Sequence, residues 1–430
     1  MIRTIVQKDR VGRKEMIAHI RSRGIGLDRE LMSAVAAIID DVRQRGDAAL
    51  IDYTARFDGV RFQAADLRVD EKTLRESAAK ISAPVLESLR AAIENVRAFH
   101  ERQVERSWQF SPRAGVVLGQ RIAPLERAGL YVPGGTAAYP SAVLMNVVPA
   151  QVAGVQRIIV TTPPRTIAET PAVAAALIEL NVTEVYRIGG AQAIAAMAFG
   201  TETIPRVDKV TGPGNKYVAA AKQLVFGQVG IDSIAGPSEV VIIADETAPA
   251  TFVAADLLAQ AEHGEDASSV LVTNSATLAR AVAVQIERQV EVLSRKQIIE
   301  KSLRDYGAII IVGDLNDACN VVNELAPEHL EIIARDDEAL AAQIKNAGAI
   351  FFGASTPEAV GDYFAGPNHI LPTGGTARFS SALGVYDFLK RTSIVRYSFD
   401  ELARVGGKIA TLAEAEGLTA HAQSVEARLK

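Results

Sequence analysis

Cysteine is all but absent from this 430-residue chain, where Cys319 stands alone. One thiol excludes a disulfide framework and any cysteine-rich zinc or iron–sulfur site, and it points to a reducing, cytoplasmic setting. Any metal must therefore be held by His, Asp, Glu or Gln. Aromatic residues are few (one Trp, nine Tyr, thirteen Phe), which leaves little to stack single-stranded nucleic acid upon. Positive charge is not in surplus: 46 Lys and Arg stand against 51 Asp and Glu, a net charge of −5, which argues against a general nucleic-acid binder. No apolar run approaches the ~18 residues of a membrane span. The best candidate, Ala142 to Val155, is broken by Asn146, Pro149 and Gln151. Met1 to Gly24 is basic but has no apolar core, so no signal peptide is expected. GxGxxG, GxxxxGK[ST], HExxH and GxSxG are all missing, which removes the commonest dinucleotide, kinase, zinc-protease and hydrolase readings.

What is present suits a packed protein. The apolar share is 48% and the charged share 23%. At ~150 residues per domain the length suggests about three domains. Asp28 to Thr54 and Asp70 to Ser107 carry apolar residues three and four apart, so residues 1–108 read as helical. Short β-branched runs then recur at 157–161, 184–188, 240–244, 269–273, 308–312, 329–333 and 349–352. Helical patterns separate most of them, among them 171–180, 191–199, 215–226, 248–261, 276–303 and 338–346. Strand–helix alternation predicts an α/β protein with parallel sheets. The pattern occurs twice, which gives two α/β units at 109–235 and 236–380, followed by a helical tail at 381–430.

The six histidines fall into two sets. His19 and His100 lie in the helical N-terminal part and read as surface or interface residues. The others sit in polar, Gly/Pro-punctuated settings. Gln260 and His263 are three apart at the end of an apolar helix and share a face, with Gly264 as its cap. Here His263 either binds a metal or meets the helix C-terminal carbonyls. Pro327 biases Ala326 away from the α-region, so Glu328 and His329 open a loop or strand. An adjacent acid and imidazole offer a general base near neutral pH and a second group to activate water, or else a solvated turn. Residues in sequence face opposite sides of an ideal strand, so the two can share a site only from irregular backbone. Asp362 and His369 lie in a Gly/Pro loop, suited to a metal, a polar substrate or simple loop capping. His421, near the end, reads alone as a tail residue. Cys319 reads as a buried structural thiol. Three Gly-rich turns, Gly129–Gly135, Gly189–Gln192 and Thr211–Asn215, make a nucleotide cleft plausible, the last by opening a helix N-terminus.

In order, GLYVPGG (129–135), GGAQA (189–193), TGPGN (211–215), AGPSE (235–239), QAEHG (260–264), APEHL (326–330), GDY (361–363), PNHILPT (367–373) and EGLTAH (416–421) resemble the histidinol dehydrogenase family over nearly the whole chain. The resemblance implies two incomplete Rossmann-like domains plus helical parts, and an intertwined homodimer whose tail reaches the neighbour's site. It implies one Zn²⁺ per subunit on Gln260, His263, Asp362 and His421, and Glu328 with His329 as the catalytic pair. Ser238 and Glu416, with the zinc ligands and His329, would touch L-histidinol. Tyr131, Gln192 and Asn215 would touch NAD, and His369 would play a supporting part. The implied reaction oxidises L-histidinol to L-histidine with two NAD⁺ through the aldehyde. In it His329 takes protons, Glu328 activates water, and the metal orients the substrate. Three rival readings remain at this point. A sister dehydrogenase would act on another small alcohol. A non-catalytic nucleotide- or metal-binding module would have no need of Glu328 beside His329. A structural scaffold would bind no metal.

Overall fold

A computed structural model describes residues 2–23, 28–134 and 139–430. Gly24, and Gly135 at the end of the first Gly-rich turn, lie outside the described residues.

Two parallel sheets form the frame. The larger has six strands in the order Arg3–Ile5, Ala308–Ile311, Ser268–Thr273, Glu239–Ala244, His329–Ile333, Ala349–Phe352. The smaller has five, Val185–Tyr186, Arg157–Thr161, Arg127–Tyr131, Lys209–Thr211, Gly230–Ile231. Every residue of Glu239–Ala244, Ser268–Thr273 and His329–Ile333 is buried, because helices cover both faces. That is why these strands read as continuous apolar runs rather than alternating ones. The expected α/β architecture with parallel sheets is what the chain forms. The apolar run at 142–155 is a buried helix, Pro140–Ala153. Cys319 is buried as expected.

Each sheet changes winding direction beside an inner strand, Arg127–Tyr131 in the smaller and Glu239–Ala244 in the larger. In the smaller, the chain runs outward from Arg127–Tyr131 through 157–161 to 185–186, then returns to place 209–211 on the other side. In the larger, it runs from Glu239–Ala244 through 268–273 to 308–311, then returns to place 329–333 on the other side. Such switch points leave a crevice where ligands bind.

Several expectations need correction. The N-terminal region is not wholly helical: Arg3–Ile5 pairs with Ala308–Ile311 and closes an edge of the larger sheet, with Ile5 buried. Residues 108–124 do not join the first parallel sheet. Trp108–Phe110 and Val116–Pro124 form an antiparallel sheet with Leu389–Tyr397, a strand inside the expected helical tail. Thr392, Ser393, Ile394 and Val395 favour extended backbone, but the strand is mostly exposed, so it lacks the apolar run of its buried counterparts. The pattern at 276–303 divides into helices Ala276–Gln289 and Lys296–Tyr306. His100 is fully buried, its Nδ1 2.7 Å from the Val96 carbonyl, whereas His19 is exposed.

Candidate active site

Glu328 and His329 come to one place by the irregular backbone their sequence demanded. The helix Leu315–Leu325 ends on Ala326 in the left-handed region (φ 52°), Pro327 follows, and His329 is the first residue of its strand. Both side chains are buried. The His329 ring lies between three carboxylates. Its Nδ1 is 3.6 Å from Glu358 Oε1 and 3.8 Å from Glu328 Oε2, and its Nε2 is 3.7 Å from Asp362 Oδ1. Nδ1 has one good partner, the Glu239 carbonyl at 3.1 Å. A carbonyl only accepts, so Nδ1–H donates. Nε2 is buried and has no hydrogen-bond partner among the described residues.

The electrostatics follow from burial. Desolvation pushes the Glu328 carboxyl up to about 7 and the Glu358 carboxyl up to about 8. Burial works against a charge on His329, but Glu358, Glu328 and Asp362 overcome it and raise the ring to about 10. Burial also disfavours the Asp362 carboxylate, yet His329 and His369 hold it below the ordinary range. Three carboxyls around one imidazole leave the cluster short of positive charge, and a divalent cation would supply it.

The donors for such a cation are present. His263, Glu358 and Asp362 bring ligand atoms within 4.8 Å of one another. The two sequence readings of His263 prove compatible. Its Nδ1 lies 3.2 and 3.3 Å from the Ala259 and Gln260 carbonyls, which leaves Nε2 free to bind metal. His263 sits just past the helix Ala250–Ala261, which ends on Glu262 without a left-handed glycine, so Gly264 does not cap it. Gln260 is fully buried. Oriented to satisfy its hydrogen bonds, its amide donates to both Glu358 oxygens at 3.0 and 3.1 Å. The Asp362 segment is docked on the other half of the molecule, because Asn368 donates to the Met145 carbonyl at 2.6 Å. His369 Nδ1 binds the Asp362 carbonyl at 3.0 Å.

Ser238 stands one residue before the strand Glu239–Ala244. His421 and Glu416 are not brought here within the chain. Both are exposed, Glu416 just past the helix Phe399–Ala415 and His421 on the helix Thr419–Glu426, two tail helices that pack on each other. Glu358 and Glu239 were missed from the sequence. Glu358 had a signal: it lies four residues before Asp362 on the short helix Glu358–Tyr363, so the two share a face. Glu239 had none, since its part is played by its peptide groups.

In the smaller half the three Gly-rich turns converge. Tyr131 ends the central strand and its hydroxyl accepts from Gly190 N at 3.2 Å. Gly212 (φ 115°) lies against the Tyr131 carbonyl, where any Cβ would collide. Gln192 is buried on the helix Gly190–Phe199. Asn215 caps the helix Lys216–Val225, accepting from Tyr217 N at 3.0 Å and Val218 N at 3.3 Å. Those two N–H groups are therefore satisfied by the Asn215 side chain.

A pair of parallel-sheet domains, with glycine turns at one switch point and a buried imidazole–carboxylate cluster at the other, defines the class as a two-domain α/β enzyme. Comparison with known proteins narrows it. A family model for histidinol dehydrogenase matches residues 22–429. A histidinol dehydrogenase of Geobacillus kaustophilus is 54% identical over 95% of this chain and 97% of its own. One from Bradyrhizobium diazoefficiens is 52% identical over 93% of each chain. The crystal structure of histidinol dehydrogenase from Elizabethkingia anophelis superposes with a TM-score of 0.93 at 36% identity, covering 100% of this chain and 98% of that one. The chain belongs to the histidinol dehydrogenase family, a family of oxidoreductases. No described helix is long and apolar enough to cross a membrane.

Proposed function

We propose that the protein oxidises L-histidinol to L-histidine in two NAD-dependent steps through the aldehyde, in the cytoplasm, as a step of histidine biosynthesis. The observation that carries this reading is the buried, unpartnered Nε2 of His329 inside a cluster of carboxylates and metal-type donors. Zinc, when bound, orients the amino alcohol through its nitrogens, and the nicotinamide accepts hydride in each step. Gln260, His263 and Asp362 fit the metal, with His421 completing the set from the partner subunit. The close approach of ligand atoms from His263, Glu358 and Asp362, and the Nε2 that His263 keeps clear of its helix carbonyls, support that fit. Tyr131, Gln192 and Asn215 line the NAD cleft, where Gly212, having no side chain, lets its turn pack directly on the Tyr131 carbonyl.

His329 does the proton work. A bound cation would offset the carboxylates that keep a second proton on the ring, and Nε2, so freed, takes the hydroxyl proton in the first oxidation. Glu328, raised toward neutrality by burial, activates the water that adds to the aldehyde, and His329 then takes a proton from the hydrate. Ser238 and Glu416 hold the substrate's polar groups. The tail supports a shared-site homodimer, for its helices expose Phe399, Leu412 and Leu418 beside Glu416 and His421.

Two measurements on purified protein test this: zinc content, and NADH formation with histidinol against a panel of small alcohols. The expected outcome is one zinc per subunit and a preference for histidinol. A hundredfold preference for another alcohol would replace the substrate, and protein without metal or NADH formation would end the reading.

A further inference from the structure

The strand Glu239–Ala244 buries a carboxylate at its first position, and its other five residues are apolar. Nothing in the sheet requires that charge. Glu239 is ion-paired at 2.7 Å with Arg23, from the far end of the chain, and both side chains are almost fully buried. A buried pair of this kind is typically no more stabilising than apolar residues of the same volume. Arg23 is in turn held on every side. Its Nε donates to the Ile20 carbonyl at 3.0 Å, another nitrogen donates to the Asp266 carbonyl, and the guanidinium lies 5.3 Å from the Tyr306 ring centre.

The peptide groups of Glu239 show what so firm an anchor serves. On the side of the His329 strand the ladder begins only at Val240, opposite His329. The Glu239 peptide groups there are spent on side chains instead. Its N–H donates to Glu328 Oε2 at 3.0 Å, and its carbonyl accepts from His329 Nδ1 at 3.1 Å. One residue thus grips both members of the acid–imidazole pair, and the grip on Nδ1 turns Nε2 toward Asp362. We propose that Glu239, locked to Arg23, is the positioning residue that aims Glu328 and His329. This rests on the reading of those two as the proton-handling pair. The Glu239 carboxylate is held by Arg23, so the residue acts through the pair it grips.

The test uses zinc-loaded protein labelled with ring-¹⁵N histidine, in which the His329 signal is identified by its loss in His329→Asn. Wild-type protein should show a slowly exchanging Nδ1 proton, and Glu239→Gln and Arg23→Met should speed its exchange at least ~10-fold. In the same proteins kcat should fall about 10-fold or more, with KM for histidinol and NAD within about twofold and zinc content unchanged. Arg23→Lys, which keeps the charge, should recover much of kcat. The double variant Glu239→Gln/Arg23→Met should be no worse than the poorer single one, since one unit is broken once. A wild-type Nδ1 without a protected proton, unchanged kcat in the folded Glu239→Gln protein, or losses that multiply in the double variant would each overturn the proposal. Should Arg23→Met not fold, the wild-type spectrum and the near-isosteric Glu239→Gln still decide. The spectrum needs neither substrate nor NAD, so it fails separately from the histidinol reading, which wild-type turnover tests.

Discussion

The two halves of the molecule place their polar residues at opposite ends of their strands. In the five-stranded half Tyr131, Tyr186 and Thr211 end their strands, and the glycine turns after the last two lead into the helices Gly190–Phe199 and Lys216–Val225. In the six-stranded half Glu239 and His329 begin their strands, and the helix Ala250–Ala261 ends there, its last carbonyls on His263. The usual ligand crevice of an open parallel sheet lies at the carboxyl ends. The amino ends differ in electrostatics, because the covering helices run antiparallel to the strands and turn their C-termini that way. A helix C-terminus carries partial negative charge, so this edge favours cations. The carboxylates gathered there push the same way. The carboxyl end of the other half carries the uncharged side chains of Tyr131, Gln192 and Asn215. There a buried ion pair, Lys222 with Asp232, clamps the Gly212 peptide: Asp232 accepts its N–H at 2.8 Å and Lys222 donates to its carbonyl at 3.0 Å.

The contrast is sharpest where one substitution removes function from the charged half alone. His329→Ala should cut turnover at least ~100-fold while folding, zinc content and NAD binding stay near wild type. Turnover within tenfold of wild type would show that the cluster is structural. A smaller but more particular effect concerns the tail, which belongs to neither half. Mixing inactive His421→Ala with inactive His329→Ala protein, after subunit exchange, should restore about a quarter of wild-type activity. Half of the dimers are then mixed, and each mixed dimer keeps one intact site. No recovery despite verified exchange would count against a tail that crosses between subunits.

How much of this was legible in the sequence differs between the halves as well. The parallel strands showed themselves because burial on both faces forces unbroken apolar runs such as Val240 to Ala244. Leu389–Tyr397 did not, since its mostly exposed residues carry no such run. Glu328, His329, His263 and Asp362 could be singled out because rare residue types stood beside Pro and Gly, and the chain brings them together. Glu358 lay in plain view four residues before Asp362, but carboxylates are too common to draw notice without the fold. Glu239 acts through its peptide N–H and carbonyl, which no residue type announces. His100 misled because helical periodicity gives the face a residue occupies, while its burial depends on the loop around Asn368 folding back over it.

The neutral half is the place for a test of backbone fit. Gly212→Ala forces a side chain onto the Tyr131 carbonyl at a φ of 115°, which only glycine adopts comfortably. KM for NAD should rise about 10-fold, with zinc content untouched. An unchanged KM would mean that the dinucleotide does not approach this turn.

The smallest effect probes the charged half's tolerance of its own carboxyls. Burial pushes Asp256 up to about 6, and burial together with Asp256 pushes Glu331 up to about 9. Both folded values lie above the unfolded ones, so the folded state holds more protons. Stability must therefore fall as pH rises from the ordinary carboxylate range toward about 9. Glu331→Gln keeps an oxygen for the Glu358 N–H, which Glu331 now accepts at 2.8 Å, and removes the proton that must be lost. Its Tm should exceed wild type by roughly 2–4 °C at alkaline pH, with the advantage shrinking steadily toward about pH 5 in calorimetry. An advantage of equal size at every pH would show that the gain comes from packing and not from the shared proton.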